Sequence, residues 1–96
     1  MLTIEQSVHG LPCVQLHKAD ERTQRIVRSA IGRNHMDDPV YHLRRESCAF
    51  LQGDDPHSGW MLVEFWTRDM EKIRPFVDYL NGTIYGVPLD TDGEER

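Results

Sequence analysis

Apolar residues are most concentrated in one segment of the chain, residues 59–67, with the sequence Gly-Trp-Met-Leu-Val-Glu-Phe-Trp-Thr. Successive side chains of a β-strand point to opposite faces of the sheet. One face of this segment would carry Met61, Val63 and Phe65. The other face would carry two tryptophans, a leucine and a carboxylate, namely Trp60, Leu62, Glu64 and Trp66. Because both faces are apolar apart from Glu64, the pattern predicts a central strand that is at least partly covered on both sides.

Two other segments have the spacing of amphipathic helices. The first helix is predicted from an N-cap at Asp20 to about Arg33, with a narrow apolar stripe formed by Thr23, Ile26, Val27, Ala30 and Ile31. The second is predicted for residues 69–81, where Asn81-Gly82 is a typical stop. Pro75 lies inside this helix and is expected to kink or divide it.

The remaining segments predict extended structure. Residues 2–8 and 11–17 would form a hairpin, in which Pro12 implies an edge position or the first residue of a strand. Residues 40–52 are interpreted as extended, and residues 53–59 as the loop that joins them to the central strand. Residues 83–89 could add a last short strand.

The order β-β-α-β-β-α-β predicts an α+β fold, with a mostly antiparallel sheet of four to five strands and two helices on one face. The inner β-α-β-β-α-β portion has a ferredoxin-like order, which carries no function by itself. Residues 1–89 are expected to form a single domain, and residues 90–96 an acidic, flexible tail.

Composition narrows the class of protein. The chain has 96 residues, of which 39% are hydrophobic and 28% charged, as in soluble globular domains. No apolar run approaches the roughly 18 residues of a membrane span, and the N-terminus lacks the pattern of a signal peptide. Two cysteines are too few for a disulfide scaffold, which favours a cytoplasmic protein with free thiols.

Charge is distributed unevenly along the chain. Residues 1–36 carry five basic and three acidic groups, whereas residues 37–96 carry six basic and thirteen acidic groups, for a net charge of −5. An acidic surface repels the phosphate backbone, so direct binding of nucleic acid is not expected. A local basic patch from Arg22, Arg25, Arg28, Arg33, Arg44 and Arg45 could dock an anion, although such arginines are usually only solvated.

The strongest candidate site is the face with Trp60, Leu62, Glu64 and Trp66. If both helices cover the opposite face, this one would expose a few hundred Å² of apolar surface, roughly the size that marks an interaction site. The alternative is that the N-terminal hairpin folds over it. A homodimer or a larger protein partner would suit this surface.

Chemical sites have less support. Cys13, His17, His42 and Cys48 could bind zinc, but their spacing is not that of a zinc finger or ribbon. Glu64 lies among apolar residues, so its pKa could be raised, or it could pair with an arginine. No phosphate loop, nucleophile elbow or metalloprotease motif occurs, so neither enzymatic activity nor a cofactor is expected.

The sequence therefore predicts a non-enzymatic interaction module acting through the aromatic outer face of its sheet. The alternative is a small acidic inhibitor of a nucleic-acid-handling complex, of the phage-encoded anti-defence or anti-CRISPR type, which would present Asp54 and Asp55 to a basic groove. Size, acidity and the lack of motifs are all that favour this alternative. A small enzyme or metal-binding protein is the third possibility.

Overall fold

The computed structural model describes residues 1–86. These residues form one four-stranded sheet and three helices. The strands are β1 (Glu5–Gln6), β2 (Pro12–Leu16), β3 (Ala49–Asp55) and β4 (Trp60–Phe65). The helices are α1 (Glu21–Gly32), α2 (Pro39–Ser47) and α3 (Met70–Tyr85). The α+β class and the antiparallel sheet of four strands are as predicted, whereas the described part of the chain has three helices rather than two.

The predicted central strand is central. The strand order is β1-β2-β4-β3, and each neighbouring pair is antiparallel. Glu64 of β4 lies opposite Cys13 of β2 on one side and Phe50 of β3 on the other. The register of β3 with β4 shifts between Leu51 and Gly53, which leaves an irregularity of the β-bulge kind.

One face of β4 forms the core. Met61, Val63 and Phe65 are fully buried and belong to a single cluster that includes side chains of all three helices, among them Val27, Ala30, Val40, Ile73 and Leu80. The Phe65 and Phe76 rings meet edge to face, with centroids 6.0 Å apart. Burying one such side chain stabilises a fold by about 1.5–3 kcal/mol, so this face holds the helices on the sheet.

Helix α1 begins where the sequence predicted. The Asp20 carboxylate accepts a 2.8 Å hydrogen bond from the Thr23 amide and so caps the first turn. Val27 and Ala30 face the core. Gln24 is also buried, and its amide nitrogen donates to the Ala19 carbonyl at 2.8 Å.

The extended structure predicted for residues 40–52 is wrong over its first half, which is α2. Asp38 caps this helix by accepting from the Val40 amide, and Pro39 occupies its first turn, where the missing N–H costs nothing. Cys48 ends the helix in the left-handed conformation at φ 54°. Only Val40 and Ser47 are buried, so the helix lacks the broad apolar stripe that would have identified it.

Helix α3 is longer than predicted. It runs through the exposed Pro75 and past Asn81-Gly82, and it ends at Gly86 with φ 70°. Asn81 lies inside the helix, and its side chain accepts from the Leu2 amide at 2.8 Å and donates to the Leu2 carbonyl at 3.2 Å.

The helical state of residues 83–85 excludes them from the predicted last strand. The rest of that strand, 87–89, and the predicted acidic tail, 90–96, lie outside the described residues. The ferredoxin-like order requires a strand after α3, so it is not shown.

Candidate functional site

The face of the sheet that carries Trp60, Leu62, Glu64 and Trp66 is partly closed by the turn between β1 and β2. This turn, residues 7–11, is held by backbone bonds from Ser7 to Leu11 (2.8 Å) and from Gly10 to Ser7 (2.9 Å). It brings His9 Nδ1 to 2.7 Å from Glu64 Oε2. Glu64 is only 1% exposed, whereas the His9 side chain is 48% exposed. The predicted interaction face is therefore covered at its centre by the chain itself.

Glu64 is held as a carboxylate rather than as a neutral acid. Burial by itself raises the pKa of this carboxyl, but hydrogen bonds from Ser7 and His9 and the positive charge of a protonated His9 outweigh burial. The pKa of Glu64 is thus lowered, and the prediction of a raised pKa is wrong. Its partner is a histidine, where an arginine was expected, because the turn and not a basic helix lies over it.

Cys13 adjoins Glu64 on the neighbouring strand, so a thiol, an imidazole and a carboxylate lie in one region. Cys13 is fully buried, and burial together with the negative charges of Glu5 and Glu64 raises the pKa of its thiol. A nucleophilic cysteine needs a lowered pKa and access to substrate. The group is therefore suited to fastening the turn to the sheet and not to nucleophilic chemistry.

Trp60 and Leu62 also have partners within the chain. The indole nitrogen of Trp60 donates to Gln15 Oε1 at 3.1 Å, and its ring lies across Gly53 so closely that a Cβ at that position would overlap it. Leu62 is 7% exposed. Leu62 and Glu64 are therefore not part of an open surface, and Trp60 contributes only a half-buried ring.

Trp66 is the residue of this face that remains open. Its side chain is 69% exposed, and its ring meets Phe50 edge to face with centroids 5.4 Å apart. The Trp66 amide donates to the Cys48 carbonyl at 3.1 Å, which fixes the end of β4 beside the start of β3. Together Cys48, Ala49, Phe50 and Trp66 line a shallow apolar hollow, called the aromatic patch below.

The aromatic patch adjoins an open edge of the sheet. Strand β3 is the last strand in the order, and no other strand in residues 1–86 pairs with its outer side. Over that range no turn, cap or side chain hydrogen-bonds to the backbone of Ala49–Gly53 either, beyond its pairing with β4. These five residues carry no charge. An edge of this kind is a template for another strand.

Asp54 and Asp55 have partners in the chain. Asp54 accepts two bonds from Arg28, from Nε at 2.8 Å and from Nη2 at 2.9 Å, and this pairing lowers the pKa of Asp54. Asp55 accepts from the Ser58 hydroxyl at 2.9 Å and the His57 amide at 3.0 Å, which also lowers its pKa. Both carboxylates thus support the β3–β4 hairpin and its contact with α1.

The arginines of the predicted basic patch are mostly engaged. Arg22 donates to the carbonyls of Thr83 and Ile84, Arg33 pairs with Asp38 at 2.8 Å, and Arg44 donates to the Arg33 carbonyl. A shallow groove between α1 and α3 is lined by Arg22, Arg25, Ile26, Ser29, Arg33, Tyr79 and Thr83. Its guanidinium groups therefore already help to hold the two helices and the following loop.

The four residues of the zinc hypothesis are not assembled. Cys13 is buried within β2, His17 is exposed just after that strand, Cys48 caps α2, and His42 Nε2 bonds to the Met36 carbonyl at 2.9 Å. Across residues 1–86, no group of three or more histidine, cysteine or acidic side chains is arranged to hold a metal ion. None of the helices in that range is long and apolar enough to cross a membrane.

Comparisons add no relative from which function could be inferred: no family model, curated protein or solved structure matches the chain. The site therefore stands on its own geometry. Sequence reasoning identified Trp66 but missed Phe50 and His9. Phe50 lies in the segment 40–52, which was interpreted as extended but not assigned to either face of the sheet, and His9 could be recognised only as part of a turn.

Proposed function

We propose that this protein is a non-enzymatic interaction module that binds another protein through the aromatic patch and the adjoining edge of β3. The 69% exposure of Trp66 is the observation that carries the proposal. Tryptophan is the residue type most enriched among those that dominate binding energy at interfaces. The other β4 residues of the same sheet face are buried (Leu62, Glu64) or half-buried (Trp60), so the high exposure of Trp66 is confined to one corner of this face.

The construction of the patch supports the same proposal. Trp66 is held from below by Phe50 and through its backbone by Cys48, so it presents a fixed apolar surface. A fixed side chain loses little conformational entropy on binding. The unpaired edge of β3 could add main-chain hydrogen bonds to the same partner, as in β-strand addition.

The non-enzymatic part of the proposal is supported by the burial of the reactive groups. Glu64 is closed off by His9 of the β1–β2 turn, and Cys13 is fully buried, so a substrate could not reach either group without local opening of the fold. The exposed Cys48 and the solvated histidines lie apart from that pair. A cytoplasmic location and the ferredoxin-like order are retained as parts of the proposal. The first is supported by two free thiols, and the second by the order β2-α1-α2-β3-β4-α3, which is a β-α-β-β-α run apart from the inserted α2.

The inhibitor hypothesis has weaker support in its original form. Asp54 and Asp55 would have to give up Arg28, Ser58 and the His57 amide to engage a basic partner. The aromatic patch could bind a protein of a nucleic-acid-handling complex, but nothing in the patch favours such a protein over another partner.

Affinity purification from the native host tests the proposal. The tagged wild-type chain is compared with Trp66→Ser and with Met36→Ser, a control that removes an apolar side chain of the same 69% exposure from a loop elsewhere. The proposal expects a partner that is recovered with wild type and Met36→Ser and lost with Trp66→Ser. Equal recovery with all three folded proteins would contradict it.

A further inference from the structure

We infer that the open edge of β3 pairs with the β3 edge of a second copy of this chain, antiparallel, to form one continuous sheet that joins the four strands of residues 1–86 in each copy. This inference rests on the proposed interaction surface and names one partner for it.

The first support is the state of the β3 backbone. In an antiparallel pair, alternate residues direct their N–H and C=O groups away from the partner strand. Within residues 1–86, β3 has β4 on one side only, so these groups along Ala49–Gly53 have no internal partner. An antiparallel copy of the same strand supplies donors and acceptors on either side of the irregularity at Gln52, and the resulting interface is isologous, with both copies using the same residues.

The second support is the distribution of charge along the strand. The segment from Ala49 to Gly53 is uncharged, so two copies can approach without like charges meeting in the middle. The helix that leads into β3 carries Arg44 and Arg45 in its last turn, and the strand ends with Asp54 and Asp55. Antiparallel pairing brings the beginning of one strand to the end of the other.

The charges at the two ends are then complementary. One end of each copy carries Arg44, Arg45, Lys72 and Glu46, a net charge of +2, and the other carries Asp54, Asp55 and Arg28, a net charge of −1. Antiparallel pairing brings these opposite net charges together at both ends of the interface, and Asp54 keeps its bond to Arg28. Glu46 lies in the same turn as the arginines, but its carboxylate faces Lys72 at 3.9 Å. Such pairs select orientation and register more than they add affinity.

The aromatic patch lies at the same edge. Phe50 is a residue of β3 itself and supports Trp66, so each copy brings its patch to the border of the joined sheet. Five to seven paired residues and two small patches bury less than the roughly 1,200 Å² of a standard interface. The dimer is therefore expected to be weak and dependent on concentration.

Three proteins test the pairing by sedimentation equilibrium between roughly 10 μM and 1 mM, where weak dimers dissociate. Gln52 is the exposed residue at the irregularity of β3, where it has no partner in the register with β4. Its side chain makes no hydrogen bond within residues 1–86. The Gln52→Lys variant places a positive charge there. Gln6→Lys is the matched control, the same exchange at an exposed residue of the opposite edge strand, β1. Each variant is first checked for a wild-type circular dichroism spectrum.

The expected result is a mass that rises toward twice the chain mass of 11.2 kDa for wild type and Gln6→Lys, with dimerisation at least tenfold weaker for Gln52→Lys. A wild-type chain that stays monomeric throughout would overturn the inference, as would a dimer that Gln52→Lys leaves intact.

If Gln52→Lys fails to fold, isotope-filtered NMR of mixed labelled and unlabelled wild type decides: contacts between copies within Ala49–Gly53 support the pairing, and their absence rejects it. If the wild-type chain is monomeric but still binds another protein that Trp66→Ser does not bind, the dimer is refuted and the proposed function remains supported.

Discussion

Nδ1 of His9 lies 2.7 Å from Oε2 of Glu64, and this contact joins the β1–β2 turn to the central strand. It determines how much of the outer sheet face is available to a partner. With the turn in place, Glu64 and Leu62 are buried and the open apolar surface contracts to the aromatic patch.

Removing the histidine should destabilise the fold. His9→Ala leaves a buried carboxylate without one of its two side-chain partners, which is expected to lower the free energy of unfolding at pH 7 by about 1–3 kcal/mol. Urea denaturation at constant temperature measures this directly. The control, Asp37→Asn, removes an exposed carboxylate from the loop before α2 and should change stability by less than about 0.5 kcal/mol.

The same contact predicts a pH dependence. Because the pKa of Glu64 is lowered in the folded chain, its contribution to stability is present above the ordinary carboxyl pKa and is lost as pH falls through the lowered value. The difference between wild type and His9→Ala should therefore narrow below about pH 4.5. A difference that stays constant from pH 7 to pH 3.5 would show that Glu64 is not held by His9.

The two thiols should react at very different rates. Cys48 is exposed, whereas Cys13 is fully buried with a pKa raised by burial. A thiol reagent should modify one cysteine per folded chain quickly, and mass spectrometry should locate the label on Cys48. The second should react only after denaturation. Equal labelling of both in the native protein would mean that Cys13 is not buried.

Gly53 should resist substitution because of Trp60. A methyl group at Gly53 overlaps the indole ring, so Gly53→Ala is expected to destabilise the fold by about 1–3 kcal/mol. The cost should fall in a Trp60→Leu background, since the ring is then absent. Gly32→Ala is the control: nothing lies within 4 Å of a Cβ there, and alanine is the better helix former. Equal costs for Gly53→Ala in both backgrounds would argue against the contact.

Asp54 allows the inhibitor hypothesis to be tested without disrupting the hairpin turn. Asp54 and Arg28 are both partly solvated, so Asp54→Asn should fold normally and melt close to wild type. For a partner other than a second copy, bound through the aromatic patch, affinity should be the same for Asp54→Asn and for the control Asp78→Asn, which removes an exposed carboxylate on α3. A tenfold loss confined to Asp54→Asn would favour a basic partner that binds this carboxylate.

Hydrophobic periodicity and capping residues correctly predicted the elements that depend mainly on their own sequence. β4 and the buried positions Met61, Val63 and Phe65 follow from alternation, and α1 follows from its cap at Asp20. Helix α2 was missed although Asp38-Pro39 is a typical N-cap and first-turn pair. Because only two of its residues are buried, polar residues dominate its sequence, and hydrophobic periodicity does not identify it.

The candidate site depends on contacts between distant residues. His9 covers Glu64 from 55 positions away, and Asn81 of α3 bonds to Leu2 across 79 positions. No periodicity in either segment encodes these contacts. Sequence reasoning could therefore place Trp60, Leu62, Glu64 and Trp66 on one face but could not tell which of them the chain covers.

Titration calorimetry of the purified partner with wild type and Trp66→Ser tests the central claim most directly. Truncation of a tryptophan that anchors an interface costs about 2 kcal/mol or more, so the dissociation constant should rise at least tenfold for Trp66→Ser and stay unchanged for Met36→Ser. Equal dissociation constants for all three folded proteins would contradict the claim that the aromatic patch is the interaction surface.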